Sequence, residues 1–292
     1  MQVSEARSWH APVRQIRKYR NIVIKAACNL RCSYCEVKKA KVDVAATNRS
    51  LGRIIDRFRP EDVLFRAEAD GEIALYPGII DYLEKRSRED GYRIEVLTNG
   101  TRLPGCIRPG LGWVFSIDGH TATMNRKRGL SQSQIDVILE QGVILAADLQ
   151  CVYHDQSLDE MNGFIDALAS RGFAGRLHIL PLLALAGRPL TVHLDYDRLH
   201  KAPFLEREEY FRRWDYIYRN GSRGDFVCDQ IVNGFNYYVV GDDIQMVKCD
   251  CYSPPRGLTI QGLQNEREYD AFPCGTCLSH QEFNNSRPSM DA

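Results

Sequence analysis

The stretch Asn21-Ile22-Val23-Ile24-Lys25-Ala26-Ala27-Cys28-Asn29-Leu30-Arg31-Cys32-Ser33-Tyr34-Cys35 runs a short apolar strand directly into a loop with three cysteines. The strand is β-branched and uninterrupted, as a strand buried on both faces should be. Beyond it, β-rich runs alternate with segments of helical spacing. Asp62–Phe65 precedes Ile79–Glu89; Arg93–Leu97 precedes a short turn; Trp113–Ile117 precedes Ser133–Ala146. Leu149–Tyr153 is followed by Leu158–Ser170, and Arg176–Leu180 by Phe204–Tyr218. Six strands, each followed by a helix or helix-like segment, predict parallel βαβ units. The expected fold class is α/β, a partial (β/α)6 TIM-like barrel, with a closed eight-unit barrel or a doubly wound sheet as alternatives. In all three, chemistry gathers at the C-terminal ends of the strands, where the first strand delivers its cysteines.

The 292-residue length suits one large domain with a small appendix, or two modest domains. Apolar residues make up 44% and charged residues 26%, which excludes a mostly disordered or collagenous chain. Lys and Arg together number 38 and match 38 Asp and Glu, arguing against a general nucleic-acid binder. Met1–Arg20 lacks a continuous apolar core and is broken by Pro12, and no apolar run is long enough to span a bilayer. A cytoplasmic protein with no membrane partner is expected. Ten cysteines in such a chain are hard to explain as disulfides, because cytosolic thiols stay reduced.

The cysteines cluster at the two ends. After about Gly221 the pattern changes: Tyr237–Val240, Gly241-Asp242-Asp243 and Ile244–Val247 read as a β-hairpin. It opens a second domain, so the expected division is 1–220 and 221–292. About seventy residues with five cysteines make a small domain for a self-sufficient core, and metal ligation is the usual remedy. The tail from Asn284 to Ala292 reads as frayed. Cys106 and Cys151, between the clusters, read as small buried hydrophobes.

Cys28, Cys32 and Cys35 have C-x3-C-x2-C spacing. Three thiolates suit a [4Fe–4S] cluster with one iron left open to chelate a small molecule. A zinc knuckle is the alternative, but its paired two-residue gaps and nearby fourth ligand are absent. With aromatic Tyr34 just before the last cysteine, this motif resembles the signature of the radical S-adenosylmethionine (SAM) enzymes. The resemblance implies the partial barrel already read, and an open iron that holds the amino and carboxylate groups of SAM. It also implies reductive cleavage to methionine and a 5′-deoxyadenosyl radical.

Other positions extend it. Asp70-Gly71-Glu72-Ile73 is similar to the family's Gly-Gly-Glu-Pro turn, implying Gly71 and Glu72 at the SAM amino group. Thr98-Asn99-Gly100 resembles the turn after the third strand, though Asn-Gly is also a common plain turn. Ser116-Ile117-Asp118-Gly119 resembles the segment at the SAM ribose, with Arg128 following where related enzymes often carry Arg. Ser116 and Asp118 can equally be helix caps.

In the second group, Cys274-Gly-Thr-Cys277 after the hairpin resembles the auxiliary-cluster domain often called twitch. The resemblance implies a second four-cysteine [4Fe–4S] cluster; a four-cysteine zinc site is the alternative. Cys228, Cys251, Cys274 and Cys277 are the expected ligands, with Cys249 left as a free thiol, although Cys249 and Cys251 can exchange these roles. A thiol can return hydrogen to a carbon radical from the face opposite abstraction, and that inverts the centre.

Length, one auxiliary cluster and a spare cysteine look most like the aminoglycoside-tailoring members of the family. The expected function is therefore epimerisation of an aminoglycoside sugar carbon, with Cys249 catalytic and SAM and two [4Fe–4S] clusters as cofactors. A flavodoxin or ferredoxin is the expected electron donor. A polycationic substrate needs carboxylates, and Glu68, Asp70 and Asp155 are the candidates, with Asp118 and Asp225 also at or beyond presumed strand ends. His154 beside Asp155 is read as a base or as a structural residue. Dehydrogenation of an aminosugar or aminocyclitol alcohol is the competing function, and peptide modification a lesser one.

Overall fold

The structure, a computed structural model, describes residues 18–35, 40–181, 194–205, 234–247 and 258–259. Strand β1 (Lys18–Lys25) buries Ile22, Val23 and Ile24, and is followed by β2 (Val63–Asp70) and β3 (Arg93–Thr98). Next come β4 (Gly112–Ser116), β5 (Asp148–Tyr153) and β6 (Leu177–Pro181). Neighbours pair in parallel in the order β6-β5-β4-β3-β2-β1. A chain that steps steadily in one direction through right-handed crossovers keeps its helices on one face. This is barrel winding; in a doubly wound sheet the order reverses at a switch point. The other edge of β1 is taken by β7 (Gly234–Val240), also parallel, so β1 has no edge left for a closing unit. The expected partial barrel is the architecture observed.

Among the described residues four α-helices cover the outside: α1 (Val44–Ile55), α2 (Pro77–Asp90), α3 (Gln132–Ile144) and α4 (Leu158–Ser170). Their ends are written in the sequence. Asp43 caps α1, while Ser131 with Gln134 and Ser157 with Glu160 form reciprocal capping boxes on α3 and α4. Pro77 opens α2 and Gly91, at φ 79°, ends it. Ile79, Ile80 and Leu83 of α2, Ile135 and Ile138 of α3, and Phe164 and Leu168 of α4 join the core with Phe65, Ile94, Val96, Phe115 and Leu149 from the strands. Each such side chain contributes roughly 1.5–3 kcal/mol on burial.

The alternate strand positions face the concave side and mix apolar residues such as Val23 and Val114 with charged ones. Arg66 Nη2 lies 3.2 Å from Glu95, and Arg176 Nη2 lies 2.6 Å from Asp148 and 4.0 Å from Glu95. Because β4 and β5 separate β3 from β6, the approach of Arg176 to Glu95 must cross the interior. These pairs join residues in the N-terminal halves of their strands with Arg176, just before β6, and so floor the barrel with matched charge. The strand ends above are left for chemistry.

The predicted hairpin is present, formed by β7 and β8 (Asp243–Val247), with β9 (Leu258–Thr259) beside it. It continues the barrel sheet through β1. Its turn docks on α1, where Ser50 Oγ donates to Gly241 O at 2.7 Å and Arg49 grips the Asp242 carboxylate at 2.7 and 3.0 Å. Helix α1 has no counterpart in the sequence reading; its inward face includes Thr47 and Ser50, whose polarity breaks the apolar stripe. Strand β2 runs past Phe65 to Asp70, because its polar inward positions alternate with Ala67 and Ala69. Most of 221–292, the tail from Asn284 and nearly all of the expected Phe204–Tyr218 helix lie outside the described residues.

Candidate active site

The chain leaves β1 through Ala26 and Ala27, and the turn after β2 closes directly on it. Ala26 N donates to Asp70 O at 3.1 Å, and Glu72 N donates to Ala27 O at 2.9 Å. A Cβ on Gly71, at φ 146°, would stand 2.5 Å from Ala26 O and 2.7 Å from Ala27 O. Only glycine lets the two backbones approach this closely.

Glu72 is 2% exposed and saturated by neighbours. Thr98 Oγ1 and Ala74 N donate to its Oε1 at 2.6 and 2.8 Å, and Asn99 N donates to Oε2 at 2.7 Å. Burial raises its carboxyl above the usual range, and these bonds oppose the shift. Glu72 thus locks the end of β2 to the turn after β3. In that turn the Asn99 amide reaches the cysteine loop, with Nδ2 3.0 Å from Asn29 Oδ1 and 3.8 Å from Cys28 Sγ.

The other side of the loop is held by charge. Asp118, fully buried beyond β4, receives Tyr34 Oη at 2.9 Å and Arg128 Nη1 at 3.2 Å, and Arg128 Nη1 also donates to Tyr34 Oη at 2.9 Å. Val152 N donates to Asp118 at 3.3 Å, and His154 Nε2 approaches it to 3.5 Å. Burial opposes the charge of Arg128, but Asp118 holds it protonated; burial also drives the Tyr34 hydroxyl far up. Asn125 fixes this turn, accepting Asp118 N at 2.9 Å and donating to Gly119 O at 2.8 Å. Ser33 N donates to Lys127 O at 2.8 Å, completing the attachment. Ser116 is half-buried at the end of β4.

Cys28 and Cys32 are half-buried and Cys35 is exposed. Burial pushes the Cys32 thiol up, Arg128 opposes the shift, and Cys35 and Cys28 reinforce it, so the thiols stand within each other's field. Among the described residues no three His, Cys, Asp or Glu side chains are drawn to metal-ligating distance, so the loop gathers its thiols on one rim without closing them on a centre. Three soft sulfur donors on one strand-end loop suit an iron–sulfur cluster. Arg128 Nε is buried with no hydrogen-bond partner, a spare donor that the carboxylate of an amino-acid cofactor would satisfy. Cys loop and orphaned donor together fit a [4Fe–4S] cluster with SAM.

Asp155 is engaged by Arg126 at 2.7 Å, by Lys127 at 3.0 Å and by His154. His154, fully buried between Asp118 and Asp155, takes the structural reading. Glu68 and Asp70 lie on the interior side of β2. Burial raises the Asp70 carboxyl, and Lys25, its register partner on β1, counters the shift. Cys106 and Cys151 are buried in the core as read, and burial lifts the Cys106 thiol to about 11. Cys228, Cys249, Cys251, Cys274, Cys277 and Asp225 lie outside the described residues.

The chain is 60% identical to the neomycin C epimerase of Streptomyces fradiae over 284 residues, 97% of this chain and 94% of the relative. It belongs to the neomycin C epimerase family. No protein-family model matches the chain. Among solved structures, Streptococcus suis SuiB superposes with a TM-score of 0.61 at 13% identity, covering 84% of this chain and 63% of SuiB. SuiB bound to S-adenosylmethionine superposes at 0.56 with the same identity and coverage. The chain thus spans less than two thirds of SuiB, and the likeness is one of fold. No helix among the described residues is long and apolar enough to cross a membrane.

For this member of the neomycin C epimerase family, sequence reasoning placed the cysteine loop, Glu72, Asn99, Asp118 and Arg128 at one rim. It did not single out Asn29, Thr101, Asn125 or Gln156. Gln156 Nε2 donates to Asp118 O at 3.0 Å and to Val152 O at 3.1 Å. Thr101 and Gln156 each lie three positions past a strand end, but polar residues are common in every loop, and Asn29 and Asn125 stand farther out, four and nine positions past β1 and β4.

Proposed function

We propose that the chain inverts C5‴ of neomycin C to give neomycin B. The observation that carries this reading is 60% identity across nearly the whole chain to an enzyme named as a neomycin C epimerase. Residues 1–220 form the barrel domain and 221–292 the auxiliary domain. Cys28, Cys32 and Cys35 hold the catalytic [4Fe–4S] cluster, and Cys228, Cys251, Cys274 and Cys277 hold the second. Cys28, Cys32 and Cys35 would hold the cluster and Arg128 the carboxylate of SAM, and the bound pair would supply radical hydrogen-abstraction chemistry at the loop.

The chain's own residues do the rest. Gly71 admits the turn of β2 to the loop, and Glu72 and Asn99 set the turns that frame it. Arg128 offers its unused Nε–H to the cofactor carboxylate, and Ser116 and Asp118 order the β4 rim. Glu68 and Asp70 receive substrate ammonium groups; a cation there relieves the burial that raises Asp70. Asp155, already engaged by Arg126 and Lys127, contributes more weakly. Cys249 gives its sulfur-bound hydrogen to the carbon radical from the opposite face: a C–H bond forms, an S–H bond breaks and a thiyl radical remains. One electron from a flavodoxin or ferredoxin and one solvent proton would restore the thiol in the cytoplasm; the second cluster, held by Cys228, Cys251, Cys274 and Cys277, would supply electron-transfer chemistry nearby.

The test is an anaerobic reaction of reconstituted protein, SAM, a strong reductant and neomycin C in deuterated water. The expected product is a stereoisomer with one carbon-bound deuterium, formed with 5′-deoxyadenosine. A product two hydrogens lighter would replace epimerisation by dehydrogenation, and unconsumed neomycin C would remove the substrate assignment. Cys249→Ala should retain SAM cleavage and the iron of both clusters while losing the stereoisomer. Loss of about half the iron would exchange the roles of Cys249 and Cys251.

A further inference from the structure

We propose that Asn99, held by a closed ring of hydrogen bonds with Thr101 and Asn29, is a positioning residue that directs an amide N–H at the Cys28 sulfur and makes the loop cluster easier to reduce. The inference rests on the cluster reading above.

The orientation of the Asn99 amide follows from one contact. The backbone N–H of Thr101 can only donate, so the Asn99 atom 3.0 Å from it must be the acceptor, Oδ1. Thr101 Oγ1 donates to the same oxygen at 2.7 Å and itself accepts Asn29 Nδ2 at 2.7 Å. Asn29 Oδ1 then takes Asn99 Nδ2 at 3.0 Å, and the ring closes with each donor facing an acceptor. Asn99 Nδ2 carries a second hydrogen that the ring leaves free, and the nitrogen lies 3.8 Å from Cys28 Sγ.

The amide has little freedom to turn away. Asn99 is 7% exposed, and its backbone N–H is fixed on Glu72 at 2.7 Å. Gly100 follows at φ 75°, where a Cβ would meet Ile138 at 2.5 Å, so the turn has one shape. Leu30 N–H also points at Cys28 Sγ, at 3.4 Å. Cys28 is therefore the loop sulfur with two N–H groups aimed at it among the described residues. Donors to a ligating thiolate stabilise the more electron-rich, reduced state of a cluster, and such bonds are among the factors that set its potential. Thr101 and Asn29 touch neither thiol nor barrel interior through these bonds; they act through Asn99.

The test is a redox titration followed by electron paramagnetic resonance on reconstituted full-length protein, reading the reduced-cluster signal that changes when SAM is added. Asn99→Ala should lower the reduced-to-oxidised ratio at fixed poise about tenfold, which is about 59 mV for a one-electron couple. Asn99→Asp, which sets a carboxylate against the sulfur, should lower it further. Thr101→Val, which keeps the side-chain shape but opens the ring, should give a smaller fall in the same direction, and Thr101→Ser should restore the wild-type value. If Asn99→Ala does not accumulate folded, Thr101→Val against Thr101→Ser carries the comparison. Iron content and the far-ultraviolet circular dichroism spectrum should match wild type. Unchanged titration in Asn99→Ala and Thr101→Val at full iron content overturns the inference. A wild-type protein with no SAM-responsive cluster signal instead overturns the cluster reading on which it stands.

Discussion

Two buried carboxylates tie the cysteine loop to the barrel, and they are satisfied in opposite ways. Glu72, at the end of β2, is surrounded by three neutral donors: a hydroxyl and two backbone N–H groups. Asp118, beyond β4, is met by the Arg128 guanidinium and by the Tyr34 hydroxyl that the same guanidinium touches. In the first arrangement the bonding partners are neutral, and Arg128 reaches Glu72 only through its field. The second places a permanent cation beside Cys32, where it opposes the burial that raises that thiol. A buried charge is tolerated in either way, but losing one partner of an ion pair strands the other charge.

The comparison breaks most sharply at Asp118. Asp118→Asn is nearly isosteric but leaves Arg128 6% exposed with no carboxylate, so a loss of about 3–5 kcal/mol is expected in anaerobic urea unfolding. A loss no larger than that of Glu72→Gln would show that the charged flank is not the more demanding one. Tyr34→Phe should fall next, at about 1.5–3 kcal/mol, because one hydroxyl serves both charged partners. Its loosening of the loop should also appear as slower cluster assembly, followed by iron uptake. Glu72→Gln should be mildest, about 1–2 kcal/mol, because a carbonyl oxygen can keep the bonds from Thr98 and Ala74 and only the Asn99 N–H loses its acceptor.

The same substitution sharpens the contrast through pH. A carboxyl whose folded pKa is raised binds its proton more tightly folded than unfolded, so wild-type stability should fall as pH rises from the ordinary carboxylate range through the folded value of Glu72. Glu72→Gln should flatten that slope in unfolding measured as a function of pH, and an unchanged slope would assign it to other groups.

Much of this molecule was legible locally. Ile22-Val23-Ile24 read as a buried strand, the helical spacing of Ser133–Ala146 and Leu158–Ser170 announced α3 and α4, and Gly241-Asp242-Asp243 announced the hairpin. Helix α1 was not legible, because Thr47 and Ser50 occupy buried positions where a stripe of apolar residues was sought. Nor was the parallel pairing of β7 with β1, which joins Ile22 to Tyr237 across most of the chain. Alternation within a strand shows that one face is buried but does not name the partner strand.

The site divides along the same line. By itself the sequence determined the spacing of Cys28, Cys32 and Cys35, the parallel βα winding that puts their loop at a strand end, and the neighbouring polar residues Glu72, Asn99, Asp118 and Arg128. These depend on residue type and short spacing, which the chain carries with it. Only the tertiary structure decided that Tyr34 joins Asp118 and Arg128, that Asp155 is engaged by neighbouring cations, and that Asn99 meets Cys28 through a ring closed by Asn29 and Thr101. Hydrogen bonds act over about 3 Å and in set directions, and no spacing within a single chain segment fixes where the ends of four different strands will meet.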